Sequence, residues 1–242
     1  LTVKTTNLNN AGSEQTGTAS ATINFTKLND APSITSGNTA SFDENLPIST
    51  VVYDGNATDV DSSDTITFSI SGTDAALFTV DSNDGEVRLK TSADFETKNS
   101  YSFNIIATDN GVGTLSTSKA VTLSVNNLND PPSITSGATG TIAENASIST
   151  IAYDTQASDP DGNSITFSIT GADASLFTID SDDGEVRLKN SANFEIKNSY
   201  SINVVATDNG STPANSTKAI TINVTDQNDT PAVVNDLSLI HI

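Results

Sequence analysis

The chain has no cysteine, no methionine and no tryptophan. Without cysteine there can be no disulfide, no thiolate metal site and no cysteine nucleophile. The single histidine, His241, is the penultimate residue. It reads as an irrelevant tail residue, because chain ends are often poorly ordered. No nucleophile–base pair can be built from what remains, so an enzyme is not expected. Aromatic residues make up 5% of the chain. Cores must therefore be mostly aliphatic, and few rings are left to stack on sugars. Cations are scarce: 10 Lys and Arg face 30 Asp and Glu, a formal charge of −20. That balance does not suit nucleic acid phosphates or anionic membrane surfaces. No apolar run approaches a membrane span. No signal peptide or initiating Met is visible, so the chain is expected to be a piece of something longer.

What is present is repetition. Leu28-Asn29-Asp30-Ala31-Pro32-Ser33-Ile34-Thr35-Ser36-Gly37 returns as Leu128-Asn129-Asp130-Pro131-Pro132-Ser133-Ile134-Thr135-Ser136-Gly137, and a third copy begins at Asn228-Asp229-Thr230-Pro231. Gly85-Glu86-Val87-Arg88-Leu89-Lys90 returns as Gly184-Glu185-Val186-Arg187-Leu188-Lys189. A period of about 100 residues marks tandem domains, each large enough for its own core. Within them, alternation of period two dominates. Tyr101, Phe103, Ile105 and Ala107 share one side of an extended segment, and Ser102, Asn104 and Thr108 the other. Tyr200, Ile202, Val204 and Ala206 repeat this, and residues 66–70, 87–89 and 120–125 read likewise. Tyr53, Tyr101, Tyr153 and Tyr200 read as core or rim residues. About seven short β-rich runs per repeat predict all-β, tandem seven-stranded Greek-key β-sandwiches.

The expected divisions are four. Residues 1–31 are the closing strands of a truncated preceding repeat, poorly anchored unless docked because a lone hairpin is marginal in water. Residues 32–130 and 131–229 are full repeats. Residues 230–242 start a further repeat or are an artefactual tail, since residues 232–242 depart from the pattern and residues 237–242 resemble translated adapter sequence.

Certain oxygen-bearing residues return in register. Glu44 matches Glu144, Asp59 and Asp61 match Asp159 and Asp161, Glu96 matches Glu195, and Asp109 matches Asp208. Asn29-Asp30, Asn129-Asp130 and Asn228-Asp229 fill the joints. Solvated surface charge accounts for most acids but not for this register. Aspartates two apart point to one side of an extended segment. Hard oxygen donors suit Ca²⁺, which takes about six to eight of them, whereas transition metals ask for the missing His and Cys. Asp81-Ser82-Asn83-Asp84-Gly85 and Asp180-Ser181-Asp182-Asp183-Gly184 look superficially like an EF-hand loop. Their Gly comes one position early and no closing Glu sits at the needed distance, so a β-turn is the expected reading.

The motifs in order resemble cadherin repeats. The first repeat reads Glu44-Asn45, Asp59-Val60-Asp61, Asp94-Phe95-Glu96, Ala107-Thr108-Asp109, then Asn127-Leu128-Asn129-Asp130-Pro131. The second reads Glu144-Asn145, Asp159-Pro160-Asp161, Asn193-Phe194-Glu195, Ala206-Thr207-Asp208, then Asp226-Gln227-Asn228-Asp229-Thr230-Pro231. The short linker followed by Pro looks more like the bacterial cadherin-like repeats of large surface proteins.

The resemblance implies a cadherin/Ig-like fold with calcium-binding linkers between repeats. At the complete middle joint it implies ligands Glu44, Asp94 and Glu96, linker residues Asn127, Asn129 and Asp130, and Asp159, Asp161, Asn163 and Asp208. Partial joints take Asn29, Asp30, Asp59, Asp61 and Asp109, and Glu144, Glu195, Asp226, Asn228 and Asp229. Asn127 and Asn193 stand where the family has aspartate, and Lys27 holds a linker position where it would repel a cation. The implied function is a calcium-stiffened adhesion protein at the cell surface, with homophilic adhesion among its partners. Its other partners are neighbouring repeats or cell-surface glycans. The rival readings are a passive spacer and a carbohydrate-binding accessory module of a secreted polysaccharide-active protein.

Overall fold

The computed structural model describes residues 2–8, 14–20 and 27–230. The tail from residue 231, with His241, lies outside the described residues. The chain forms two compact units: Leu1–Ala93 with Ser100–Val125, and Asp94–Asn99 with Asn126–Ile242. In the first, β1 (Thr2–Leu8) and β2 (Glu14–Ser20) form an antiparallel hairpin in which Thr2 pairs with Ser20 and Leu8 with Glu14.

The first repeat consists of β3 (Ser33–Ile34), β4 (Thr39–Asp43), β5 (Val51–Asp54), β6 (Ala57–Thr58), β7 (Ile66–Ser71), β8 (Phe78–Val80), β9 (Glu86–Leu89), β10 (Ser100–Asp109) and β11 (Ser116–Asn126). Two main sheets, β4-β11-β10-β7 and β5-β9-β8, supply seven strands, and β3-β6 adds a two-residue ladder. The second repeat has β12 (Ser133–Ile134), β13 (Thr139–Ala143), β14 (Tyr153–Asp154), β15 (Ala157–Ser158), β16 (Ile165–Thr170), β17 (Phe177–Ile179), β18 (Glu185–Leu188), β19 (Ser199–Asp208) and β20 (Asn215–Thr225). Its sheets, β13-β20-β19-β16, β14-β18-β17 and β12-β15, follow the same order. Strand β13 runs parallel to β20, from Thr139 beside Thr221 to Ala143 beside Thr225. Parallel neighbours need a crossover, and here the chain passes through the second sheet between them. Among the described residues the only helical pieces are single 3-10 turns at Ala75–Leu77 and Ala174–Leu176.

The alternation sets the core. Along β10, Tyr101, Phe103, Ile105 and Ala107 are buried, whereas Ser102 is exposed and Asn104 and Thr108 are half-buried. Their partners on β11 include Leu123 and Val121, also buried. Unit two packs Ile142, Phe177, Val186, Tyr200, Ile202 and Ile222 together. All four tyrosines are core residues, and Tyr53 donates its hydroxyl to the Gly37 carbonyl at 2.6 Å.

The acidic pentapeptides are turns, as expected. Asp81 Oδ1 accepts the N–H groups of Asn83 at 2.8 Å and Asp84 at 3.4 Å. Gly85 closes the turn at φ +76°, and a Cβ there would lie 2.1 Å from the Gly55 carbonyl oxygen. Only glycine satisfies both the backbone angle and the contact.

Candidate metal centre

Each repeat closes a ten-residue strand with an aspartate, Asp109 on β10 and Asp208 on β19, and the second repeat shows carboxylates at both of its ends. Asp208 closes β19 and is 4% exposed. Its Oδ1 accepts the Gly210 N–H at 2.8 Å, and its Oδ2 accepts the Ala214 N–H at 3.0 Å and the Asn129 side-chain amide at 3.1 Å. Asn129 Oδ1 in turn accepts the Asn163 amide at 2.9 Å. Asp161 Oδ2 accepts the Asp130 N–H at 2.8 Å, and Asp159 Oδ1 accepts the Asn163 N–H at 3.1 Å. The linker is thus tied to the Asp-x-Asp loop and to the end of β19. Asn127, Asn129, Asp161, Asn163, Gly210 and Ser211 line the polar hollow that results.

Two supports were not singled out by the sequence reading, although both recur in Ala-Thr-Asp-Asn-Gly. Asn209 Oδ1 accepts the Ser164 N–H at 3.0 Å, as Asn110 Oδ1 does for Thr65 at 2.8 Å, pinning the loop. A Cβ at Gly210 would fall 1.6 Å from Asn129 Oδ1, and one at Gly111 2.0 Å from Asn29 Oδ1. Glycine is what lets the linker asparagine reach the strand-end aspartate.

The first repeat builds the same frame. Asn29 donates to Asp109 Oδ1 at 3.1 Å, Asp61 Oδ2 accepts the Asp30 N–H at 2.8 Å, and Asp59 Oδ1 accepts the Asp61 N–H at 2.7 Å. Here Lys27 forms an ion pair with Asp61 Oδ1 and donates to the Val60 carbonyl at 3.3 Å. Hydrogen bonds from the Asp30 backbone and then Lys27 hold the Asp61 carboxyl below its usual range, and the bond to Asp61 raises the Lys27 ammonium above its own.

The other end of the second unit centres on Glu144, just past β13 and 2% exposed. Its Oε1 accepts the Gln227 N–H at 2.7 Å and its Oε2 the Phe194 N–H at 2.9 Å. One carboxylate oxygen each from Glu144, Glu195 and Asp229 lies within 4.8 Å of the others. Asn145 follows at φ 56°, and Asn45 stands at φ 59° in the first repeat. That left-handed conformation is tolerated best by Gly and Asn, which explains the Glu-Asn pairing. The Asn145 amide donates to Asp229 Oδ1 at 3.3 Å.

Asp94 is exposed, and its Oδ1 accepts the Thr97 N–H at 2.9 Å. Asn193 Oδ1 accepts the Ile196 N–H at 2.9 Å. The exchange of Asp for Asn therefore keeps the turn and loses only a charge. Glu44 is 1% exposed and Glu96 exposed. Asn127, Asp226 and Asn228 are exposed. Glu44 belongs to the first unit, and Asp94, Glu96 and Asn127 to the second.

Electrostatics favour the ionised forms. The N–H groups of Gln227 and then Phe194 hold the Glu144 carboxyl below its usual value despite its burial. Burial pushes the Asp208 carboxyl up, but the bonds from Gly210, Asn129 and Ala214 outweigh it and leave it lowered. A carboxyl lowered in the folded state stabilises above its unfolded pKa, and that contribution is lost as pH falls through the folded value. In chelator, second-unit stability should therefore fall as pH drops from about 5 towards 3. Glu144→Gln should flatten that slope. An unflattened slope in melts across this range would show that Glu144 is not a contributor.

The residues fit a divalent ion of the calcium type. Every donor is an oxygen. The Oδ2 atoms of Asp59 and Asp159 are buried without a hydrogen-bond partner, an arrangement that is costly unless something positive faces it. Calcium favours this donor set over magnesium, which demands near-octahedral geometry and keeps its waters.

Fold and site together define a tandem β-sandwich protein whose repeats carry carboxylate cages at their strand ends. The cadherin domain profile matches residues 38–126 and 138–225. The chain belongs to the cadherin family. It is 32% identical over 229 residues to human Protocadherin Fat 1, covering 90% of this chain and 5% of that protein. It thus spans about a twentieth of the length of that relative. The fold matches domains EC1-2 of human Protocadherin-24, with a TM-score of 0.60, 23% identity, 83% of this chain and 100% of that one. It also matches the EC3-6 cis-dimer of Protocadherin gammaB7, with a TM-score of 0.52, 26% identity, 82% of this chain and 52% of that one. At family level, the chain consists of cadherin repeats, which the protocadherins it resembles also carry.

Proposed function

We propose that the chain is a calcium-stiffened segment of an adhesion protein at the cell surface. Its repeats span residues 32–130 and 131–229. Ions held by Glu44, Asp94, Glu96, Asn127, Asn129, Asp130, Asp159, Asp161, Asn163 and Asp208 tie one to the next. One observation carries this reading: in the second repeat the two carboxylate groups lie at opposite ends of β20. Asp208 takes the N–H of Ala214 before that strand begins, and Glu144 takes that of Gln227 after it ends. At about 3.4 Å per residue its eleven residues separate the two ends by roughly 35 Å. A domain with carboxylate groups at both ends can take ions at both.

When bound, calcium supplies charge neutralisation and shared coordination. The chain's own residues do the positioning. Backbone N–H groups aim the Glu144 and Asp208 carboxylates, Asn129 fastens the linker, and Asp159 Oδ2 stays unspent. Without ions, carboxylates about 4 Å apart repel by roughly 1–4 kcal/mol per pair, which loosens the joint. The partners are neighbouring repeats and a second copy of the chain. Among the described residues no aromatic side chain is prominently exposed, so no platform for sugars supports the carbohydrate-binding reading.

Asp130→Ala removes a linker carboxylate, and Asp84→Ala removes an exposed acid in a turn. In calcium titrations the first should weaken uptake by about tenfold or more, because affinity follows ligand charge. The second should leave it unchanged. Equal effects would undo the distinction between joint and turn.

A further inference from the structure

We propose that Lys27 is a tethered cation that closes the carboxylate cage of the first repeat, holding the linker there without a divalent ion. The inference rests on the calcium reading of the equivalent cage in the second repeat. Lys27 and Asn127 hold matching places, two residues before Asn29 and Asn129. Asn127 is exposed at the edge of a polar hollow. Lys27 instead reaches over the corresponding hollow, which Asn29, Asp61, Ser63, Asp64 and Asn110 help to line. Its ammonium pairs with Asp61 Oδ1 while Asp61 Oδ2 accepts the Asp30 N–H. One aspartate is thus gripped from both sides by the same linker.

Burial separates this pair from an ordinary surface ion pair. The Asp61 side chain is 8% exposed and that of Lys27 62%. The lysine brings its charge to a nearly enclosed carboxylate while its own side chain stays mostly exposed. An ammonium so placed opposes a second cation by direct repulsion, and it offers three donors where a metal would seek acceptors. In sequence, Lys27 reads only as a repulsive residue at a cation site. The geometry adds that it takes over the tie between linker and domain. The cage residues Asn29, Asp30, Asp59, Asp61 and Asp109 all belong to the first unit. The chain would then hold two kinds of joint, one fixed and one dependent on calcium.

The test uses the full chain, Lys27→Asn and the reciprocal Asn127→Lys. Amide hydrogen exchange is followed at Asp30 and Asp130 in chelator and in millimolar calcium, with calcium uptake measured by equilibrium dialysis. In chelator, Asp30 should exchange at least about tenfold more slowly than Asp130. Lys27→Asn should erase that protection and raise calcium uptake, with the added ion restoring it. Asn127→Lys should protect Asp130 in chelator and lower uptake. If Lys27→Asn leaves Asp30 exchange unchanged in chelator, the proposal is overturned. If neither the natural chain nor Lys27→Asn takes up calcium, the calcium reading fails separately, because the comparison in chelator still decides whether Lys27 fastens the linker.

Discussion

Calcium in excess over chelator should raise the unfolding temperature of the full chain substantially. The physical reason is linkage. The cages exist only in the folded state: they draw Asn129, Asp130, Asp159, Asp161 and Asp208 from a linker, a loop and a strand end that an unfolded chain does not hold together. A ligand confined to the folded state stabilises by about 2.7 kcal/mol when its free concentration is a hundred times Kd. For a domain of this size, 1 kcal/mol moves the midpoint by about 4–8 °C. A rise on the order of 10 °C or more is therefore expected, together with a longer, stiffer particle in scattering. Magnesium at equal concentration should do much less. An unchanged midpoint across chelator and millimolar calcium would remove the ligand assignment.

The second large effect comes from the core. Phe177 is 2% exposed and meets Tyr200 edge to face, with ring centroids 5.3 Å apart. It anchors β17 against β18, paired with the buried Leu188. With few aromatic residues in the chain, aliphatic neighbours must otherwise fill the space. Phe177→Ala removes the transfer free energy and leaves a cavity, at a cost of about 3–5 kcal/mol. Typical domains have only about 5–15 kcal/mol in total. Calorimetry should show the second unit unfolding far earlier while the first keeps its transition. The matching Phe78→Ala, in a residue also 2% exposed, should do the reverse. A loss below about 1 kcal/mol would show that the site collapses freely and that the core is looser than described.

The long strands were legible because burial on one face forces period two. Tyr101 to Ala107 and Tyr200 to Ala206 fall on β10 and β19 with their alternate residues inward. The repeat period and the ordered acidic motifs gave the family. Two-residue strands such as β3, β6, β12 and β15 carry no period, so nothing in composition marks them. The reason for Asn45 and Asn145 lies in a backbone angle, and that for Gly111 and Gly210 in the approach of an asparagine from a distant linker. Neither can be read along the chain. Glu144 was legible as a recurring acid, but its two backbone donors, Phe194 and Gln227, come from segments far from it in sequence. The exchange of Asp94 for Asn193 reads as a loss at the sequence level. The shared turn bond shows what it preserves.

The most direct measurement is equilibrium dialysis of the full chain against millimolar calcium, with bound ion counted by elemental analysis. Saturable uptake above the dialysate, reduced by Asp130→Ala and untouched by Asp84→Ala, is the result expected if the carboxylate cages hold calcium. Calcium inside equal to calcium outside, at every concentration up to that range, would contradict it.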